Sequence, residues 1–407
     1  MTPFARLNRI NKALHRHLIA TETLKEPFSH ELLLAMDNNS DATIADITHF
    51  FQQNNLIALA LLAADRIFLR QSRLKRLPSP SFIERQLRRY ESLGLFAWAE
   101  RQALSCAETL ANADLYALKA RLAVDRGAYD EALALADRCA EAKAWPQLEA
   151  RIRAERELLA SPQAGSGRRY AVKVVNLPQD YARRDMCMAA MKRVGLAFEF
   201  AKAIRVDEIP ASDQPLFTRP VTRMEDGTFG NQLTQYRIWR QTAEGEPELT
   251  LVFEDDTTAT MAMEPFLRHA PLPADADIIF CNDRLCGDAD RLTVEPIGTA
   301  LAELSRRLPN LRAPGSDAYI LTRSGAEKLS AIARTEKFHS IGTDWYILSH
   351  SIDASAVAGL NPDSILAKEL TQRHAAPVHS DIVLNGYITS RPLSANRPLG
   401  VARLNRV

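Results

Sequence analysis

The sequence predicts an α/β domain over residues 168–407, preceded by an all-α domain over residues 1–160. Before residue 160 the apolar residues recur at helical spacing, with a faint repeat. After residue 168 short apolar runs alternate with helix-like stretches, which is the pattern of a sheet covered by helices. Small and helix-breaking residues at 161–167 form the predicted linker between the two domains.

The composition is that of a soluble globular protein. The 407 residues are 46% hydrophobic and 25% charged, and neither half of the chain holds the large positive excess of a dedicated nucleic-acid binder. Five scattered cysteines favour a reducing compartment over a disulfide framework. The N-terminus lacks the apolar run of a signal peptide, and we expect a cytoplasmic protein, peripheral to the inner face of the cytoplasmic membrane at most.

The helical domain contains a motif typical of paired antiparallel helices. The pattern Gly-x-aromatic-x-x-Ala at residues 94–99 recurs at residues 127–132. Its small residues allow two helices to approach closely, and it resembles tetratricopeptide (TPR)-like helical pairs. Such a stack generally presents a concave surface to a protein partner, although a helical cap on the next domain fits the pattern equally well.

A basic run lies within the same domain. Seven basic residues fall between Arg70 and Arg89, against the single acid Glu84. A solvated helix face is the simpler interpretation, and a peripheral contact with anionic lipid headgroups is the alternative.

Polar residues follow three predicted strands of the α/β domain. The predicted strands are residues 170–177, 249–253, 277–280 and 318–321, and the helix-like stretches are 181–194, 232–242, 263–270 and 324–333. The first strand ends at Asn176, the second runs into Glu254, Asp255 and Asp256, and the third into Asn282 and Asp283. Ligands of open α/β sheets gather at the carboxyl ends of strands, so we expect these groups to share one crevice.

The three consecutive acids predict a metal site. Adjacent carboxylates repel one another and are costly to desolvate unless a cation lies among them. Hard oxygen ligands without nearby His or Cys favour Mn²⁺ or Mg²⁺, here at Asp255 and Asp256. Such an ion commonly arrives with a diphosphate, and the alternative is an acidic loop at a strand end.

Five motifs in order resemble the lipooligosaccharide glycosyltransferases of family 25. The motifs are an opening at residues 174–184 continued at 194–203, then 254–256, 314–329, 342–345 and 380–382. The resemblance implies a GT-A-like (Rossmann-like) fold and metal-dependent, inverting transfer of a hexose from a UDP-sugar. Galactose is the sugar it implies first, and a lipooligosaccharide or another surface glycan is the acceptor. The helical domain lies outside the resemblance.

Glycosyl transfer gives the polar residues candidate roles. Asn176 and Glu254 are candidates for donor binding. Arg183 and Arg184 can hold phosphate or uracil, with one of the two expected to face solvent.

Transfer also needs a base for the acceptor hydroxyl, and we choose Asp344, beside which Trp345 offers a ring face for a sugar. Asp317 is the second choice. The structural alternatives are a helix N-cap for Asp344 and a turn residue for Asp317.

The sequence departs from the family at one motif. Thr234 and Gln235 stand where the family carries Ser-His, which keeps hydrogen bonding but removes a titratable group. The change puts the usual donor or acceptor in doubt. It also keeps open a different function, an inactive transferase-like domain that works with the helical repeats as a binding or scaffold module.

Overall fold

The computed structural model describes most of the chain after residue 112. The described ranges are 113–125, 127–142, 145–160, 167–219, 227–287, 292–311, 314–339, 341–375 and 384–396, with short helical pieces between residues 9 and 63. The chain forms two compact units, one of residues 1–152, 181–190 and 397–406, and one of residues 153–180, 191–396 and 407. Residues 161–166 of the predicted linker lie outside the described ranges, so the division at this linker stays a prediction.

The first unit is helical where it is described. A turn at Gly127, whose φ is 80°, reverses the chain after the first helix. The aromatic and the alanine of the second repeat copy, Tyr129 and Ala132, are buried at 6% and 0% exposure, as close helix packing requires. The first copy at 94–99 lies outside the described residues, and the TPR-like assignment stays a prediction. The helices described after residue 112 are α1 (Ala113–Asp125), α2 (Tyr129–Leu133), α3 (Ala136–Cys139) and α4 (Trp145–Ala160), the last continuing into the second unit.

The second unit contains a seven-stranded mixed sheet and a two-stranded sheet among its described residues. The large sheet has the order β2-β1-β3-β7-β5-β8-β6, and β4 pairs with β9. The strands are β1 (Tyr170–Asn176), β2 (Glu199–Lys202), β3 (Leu249–Glu254), β4 (Thr257–Ala259), β5 (Ile278–Phe280), β6 (Val294–Pro296), β7 (Ala318–Thr322), β8 (Gly386–Thr389) and β9 (Ser394–Asn396).

Strand directions bring the polar strand ends to one edge of the large sheet. β1 is parallel to β2 and β3, and β5 is parallel to β8, whereas β7 is antiparallel to both β3 and β5. Phe253 pairs with Ala318 and Phe280 pairs with Tyr319. The carboxyl ends of β3 and β5 therefore flank the amino end of β7, and Asp317 lies immediately before that end.

Helices cover the sheet and enclose an aromatic core. Trp239, Tyr319 and Phe338 have no exposed surface, and the Trp239 ring stacks on that of Tyr346 with centroids 6.3 Å apart. The remaining helices are α5 (Tyr181–Arg193), α6 (Gly227–Glu244), α7 (Met263–His269), α8 (Ile297–Arg307), α9 (Arg323–Glu336), α10 (Thr343–His350), α11 (Ala354–Ala358) and α12 (Ile365–His374).

The structure confirms a mixed α/β fold, and each of the four predicted strands is present. The GT-A-like assignment is finer than this agreement and stays a prediction. Among the residues described, no helix is both long and apolar enough to cross a membrane. Arg70–Arg89 lies outside the described ranges, so the membrane contact stays a prediction too. The motif at 380–382 also lies outside these ranges.

Candidate functional site

A pocket of about 200 Å³ opens at the sheet edge where the polar strand ends meet. It brings together three residues that the sequence singled out, Glu254, Asp317 and Asp344. They come from segments far apart in the chain, so the fold creates this cluster of carboxylates. The described lining consists of Thr228, Asn231, Glu254, Arg284, Gly315, Ser316, Asp317, Gly342, Thr343 and Asp344.

The acids after β3 occupy different environments. Asp255 has no exposed surface, and its Oδ2 accepts a hydrogen bond of 2.6 Å from Nδ2 of Asn176. Glu254 is half-buried and lines the pocket, and its backbone N–H donates to the carbonyl of Asp317 at 3.1 Å. Asp256 is half-buried and lies close enough to Asp317 to raise the pKa of that carboxyl group. The three acids thus remain candidates with distinct surroundings.

Asp317 is a buried carboxyl group with an unusual balance of forces. Burial raises its pKa to about 6, the charge of Arg284 opposes this increase, and Asp256 adds to it. Arg284 forms an ion pair with Oδ1 through its Nη2. The buried Oδ2 accepts no hydrogen bond from any residue that the structure describes. A carboxylate oxygen in this state favours an incoming cation or proton.

The raised pKa predicts that Asp317→Asn alters the pH dependence of stability. The folded state binds the Asp317 proton more tightly than the unfolded state, whose pKa is near 3.8. The wild type therefore loses stability relative to the variant as pH rises from about 4 to about 6, by about 3 kcal/mol, and the difference is constant above that. Urea unfolding of both proteins at pH 4 and pH 7 measures the change.

Asp353→Asn is the control for that experiment. Hydrogen bonds from Ser355 and from the backbone of Ala356 lower the pKa of Asp353 below 3.8, so the stability that this carboxylate contributes is lost mainly as pH falls below about 4. Between pH 4 and pH 7 the stability of Asp353→Asn relative to wild type should therefore change little, whereas that of Asp317→Asn should rise. A stability difference for Asp317→Asn that does not change with pH would contradict the raised pKa.

Asp344 connects two segments of the pocket lining through a hydrogen bond. Its Oδ2 accepts from the N–H of Gly315 at 3.2 Å, and its Oδ1 accepts from the N–H of Trp345 at 2.9 Å. The N-cap of α10 is Gly342, so the N-cap alternative for Asp344 is wrong. Trp345 is 9% exposed and the guanidinium carbon of Arg373 lies 5.3 Å from its ring centroid, so the expected sugar-stacking face is covered.

A tight turn brings Arg284 against Asp317. Gly315 has a φ of 79°, and a Cβ there would overlap both side chains. Nδ2 of Asn282 donates to the carbonyl of Gly315 at 2.8 Å, and its Oδ1 accepts from the N–H of Arg284 at 3.0 Å. The sequence analysis singled out Asn282 but not Arg284. The one feature that pointed to Arg284 was its position two residues after Asn282, in the same loop that follows β5.

The two candidate arginines lie on α5. Arg183 is buried and Arg184 is exposed, which agrees with the expectation that one of them faces solvent. Residues 181–190 belong to the first compact unit, whereas the pocket belongs to the second. A phosphate or uracil contact for Arg183 and Arg184 therefore stays a prediction.

Thr234 and Gln235 serve the packing of α6. Oγ1 of Thr234 accepts from the N–H of Ile204 at 2.9 Å and donates to the carbonyl of Gly230 at 2.7 Å. Oε1 of Gln235 accepts from the Tyr319 hydroxyl at 2.7 Å, and both residues are buried. Neither belongs to the described lining of the pocket.

The donor atoms at this edge suit a hard divalent cation. The described lining carries three carboxylates and one guanidinium. Its other polar side chains are three hydroxyl groups and the amide of Asn231. No group of three or more His, Cys, Asp or Glu side chains in the described ranges has the arrangement of a metal site. Mg²⁺ is commonly bound by one or two carboxylates together with substrate phosphates and water. Asp255, which has no exposed surface, and Asp256 are not part of the described lining, so metal binding by these two residues stays a prediction.

Comparison with known proteins gives one local similarity. No protein-family model matches the chain. A segment of 55 residues is 40% identical to human procollagen galactosyltransferase 2, and it covers 14% of this chain and 8% of that protein. The similarity supports a glycosyltransferase at the level of broad class. Family 25 is not decided by so short a match and stays a prediction.

Proposed function

We propose that the chain is a metal-dependent, inverting glycosyltransferase that moves a hexose from a UDP-sugar to a glycan acceptor. The observation that carries the proposal is the pocket in which Glu254, Asp317 and Asp344 converge at the carboxyl end of β3. A donor with a diphosphate leaving group needs this kind of acidic, cation-attracting site. The galactosyltransferase similarity supports the same class of enzyme.

The residues that would hold Mn²⁺ or Mg²⁺ are Asp256 and Asp255. Asn176 fixes Asp255 through its 2.6 Å hydrogen bond and so holds that carboxylate in one orientation. When bound, the ion supplies positive charge against the diphosphate that leaves. Glu254, the neighbouring carboxylate that faces the pocket, contributes to donor binding.

Asp344 is the proposed base for the acceptor hydroxyl. It is half-buried and lines the pocket, whereas Asp317 is only 1% exposed and is paired with Arg284. Two backbone N–H groups hold the Asp344 carboxylate in place, and each of its oxygens has a further lone pair for the acceptor proton. Asp317 is the second choice for this role.

The pocket's lining and the similarities support the proposed substrates. Thr228, Asn231, Ser316 and Thr343 offer the hydroxyl and amide groups that hydrogen-bond sugar hydroxyls. Galactose is the proposed hexose, and a lipooligosaccharide or another surface glycan is the proposed acceptor. We place the reaction in the cytoplasm, with Arg70–Arg89 as a peripheral membrane contact and the helical domain as a docking site for a protein partner.

A UDP-release assay tests the proposal. The full chain is incubated with UDP-galactose or UDP-glucose and a truncated lipooligosaccharide, with Mn²⁺, with Mg²⁺ or with EDTA. We expect UDP release with a divalent ion and none with EDTA. UDP binding without release from any sugar would favour the inactive scaffold instead, and the absence of both would remove the proposed function.

A further inference from the structure

Arg284 is placed and oriented for a ligand as well as for Asp317. It lines the pocket, its side chain is 32% exposed, and among the described lining residues it carries the only positive charge. Three carboxylates surround it in that lining, so an anion that enters the pocket meets net negative charge everywhere except at this guanidinium. Arg284 is therefore the described pocket residue best suited to anion recognition.

Only one nitrogen of the Arg284 guanidinium, Nη2, takes part in the ion pair with Asp317. Nη2 donates to Oδ1 of Asp317, whereas the buried Nε has no hydrogen-bond partner in the described structure. Arginine has five N–H donors in a planar fork, and a purely structural pair normally uses two of them on both carboxylate oxygens. Here Oδ2 of Asp317 is also left without a hydrogen bond. The exposed part of the guanidinium therefore keeps N–H donors that an incoming oxyanion can use.

Hydrogen bonds between Asn282 and the neighbouring backbone fix the position of Arg284. Asn282 binds the N–H of Arg284 and the carbonyl of Gly315, which locks the two turns together. Gly315 leaves room for the guanidinium because it lacks a Cβ. Pre-organisation of this kind lowers the cost of ordering a long side chain when a ligand binds.

We propose that Arg284 binds the diphosphate of the nucleotide-sugar donor and so sets the donor's phosphates within the pocket. This inference rests on the proposed function. A pocket of about 200 Å³ is smaller than a site for a drug-sized ligand, which is typically about 300 Å³ or more, so it holds the phosphates and sugar and not the whole donor. A phosphate on the acceptor would present the same chemistry to Arg284 and is distinguished by the test.

Isothermal titration of the full chain with UDP and with uridine, in the presence of Mn²⁺, tests the proposal. Arg284→Gln should weaken UDP binding by about 10-fold or more, because a charge-assisted phosphate contact is lost. Arg284→Lys should weaken it less, and uridine affinity should stay the same in all variants. Arg237→Gln is the matched control, since Arg237 pairs with Asp213 at 2.9 Å and does not line the pocket.

A second pair of variants separates ligand binding from support of Asp317. In an Asp317→Asn background the ion pair is absent, so Arg284→Gln should still weaken UDP binding if the guanidinium binds phosphate. Equal UDP affinity with and without Arg284 in that background would overturn the inference, as would an equal loss of uridine and UDP binding. If Arg284→Gln raises the KM of a phosphorylated acceptor and leaves UDP affinity unchanged, the donor assignment is wrong. Absence of UDP binding by the wild type would instead remove the proposed function itself.

Discussion

Asp256→Asn is expected to lower kcat by about 10³-fold or more, close to complete loss of turnover. The substitution exchanges a charged oxygen ligand for a neutral amide, which binds a hard divalent cation weakly. Asp256 is half-buried, and its charge raises the pKa of Asp317, which lines the pocket. The measurement is UDP release by the purified variant at saturating Mn²⁺, with circular dichroism to verify the fold.

Asp213→Asn is the matched control for this loss. Asp213 is also a partly exposed carboxylate, and it forms an ion pair with Arg237 at 2.9 Å. The control should retain wild-type turnover. Wild-type turnover by Asp256→Asn at saturating Mn²⁺ would show that this carboxylate holds no catalytic ion.

Three of the four strands that the sequence predicted, β3, β5 and β7, are almost fully buried, and the fourth, β1, is buried towards its carboxyl end. Residues Leu249–Phe253 of β3 are fully buried and are apolar except for Thr250, so the strand is visible in the sequence. The apolar pattern did not predict β6, and β2 was implied only by the family resemblance, because both are short, half-exposed edge strands with polar residues such as Glu199 and Glu295. Nothing in their local composition distinguishes them from loops.

The candidate site also contains residues that the sequence suggested and residues that it did not. The types of the residues Glu254, Asp317 and Asp344 suggested chemistry before the structure placed them in one pocket. Arg284 did not, because its partner Asp317 lies 33 residues away and meets it only through the antiparallel pairing of β5 with β7. The burial of Asp255 was equally hidden, since three adjacent acids look alike until the strand end fixes which of them faces the pocket.

Asp344→Asn is expected to lower kcat by roughly 10² or more while UDP affinity stays close to that of the wild type. The amide cannot take a proton from the acceptor hydroxyl, so the step that forms the new glycosidic bond loses its base. One amide oxygen remains to accept from the N–H of Trp345, whereas the N–H of Gly315 loses its acceptor. That loss costs about 1 kcal/mol, which a folded domain tolerates.

Separate measurements of UDP binding and of turnover show whether Asp344 acts as the base or supports the donor site. Steady-state kinetics gives kcat and titration with UDP gives the dissociation constant, and a base should change only the first. Asp353→Asn is the control, because Asp353 also accepts a backbone N–H, that of Ala356 at 2.8 Å, but does not line the pocket. If UDP affinity falls together with kcat in Asp344→Asn, the carboxylate holds the Gly315 turn for the donor. Asp317 then becomes the base to test next, since its pKa of about 6 gives it a higher proton affinity than an ordinary aspartate.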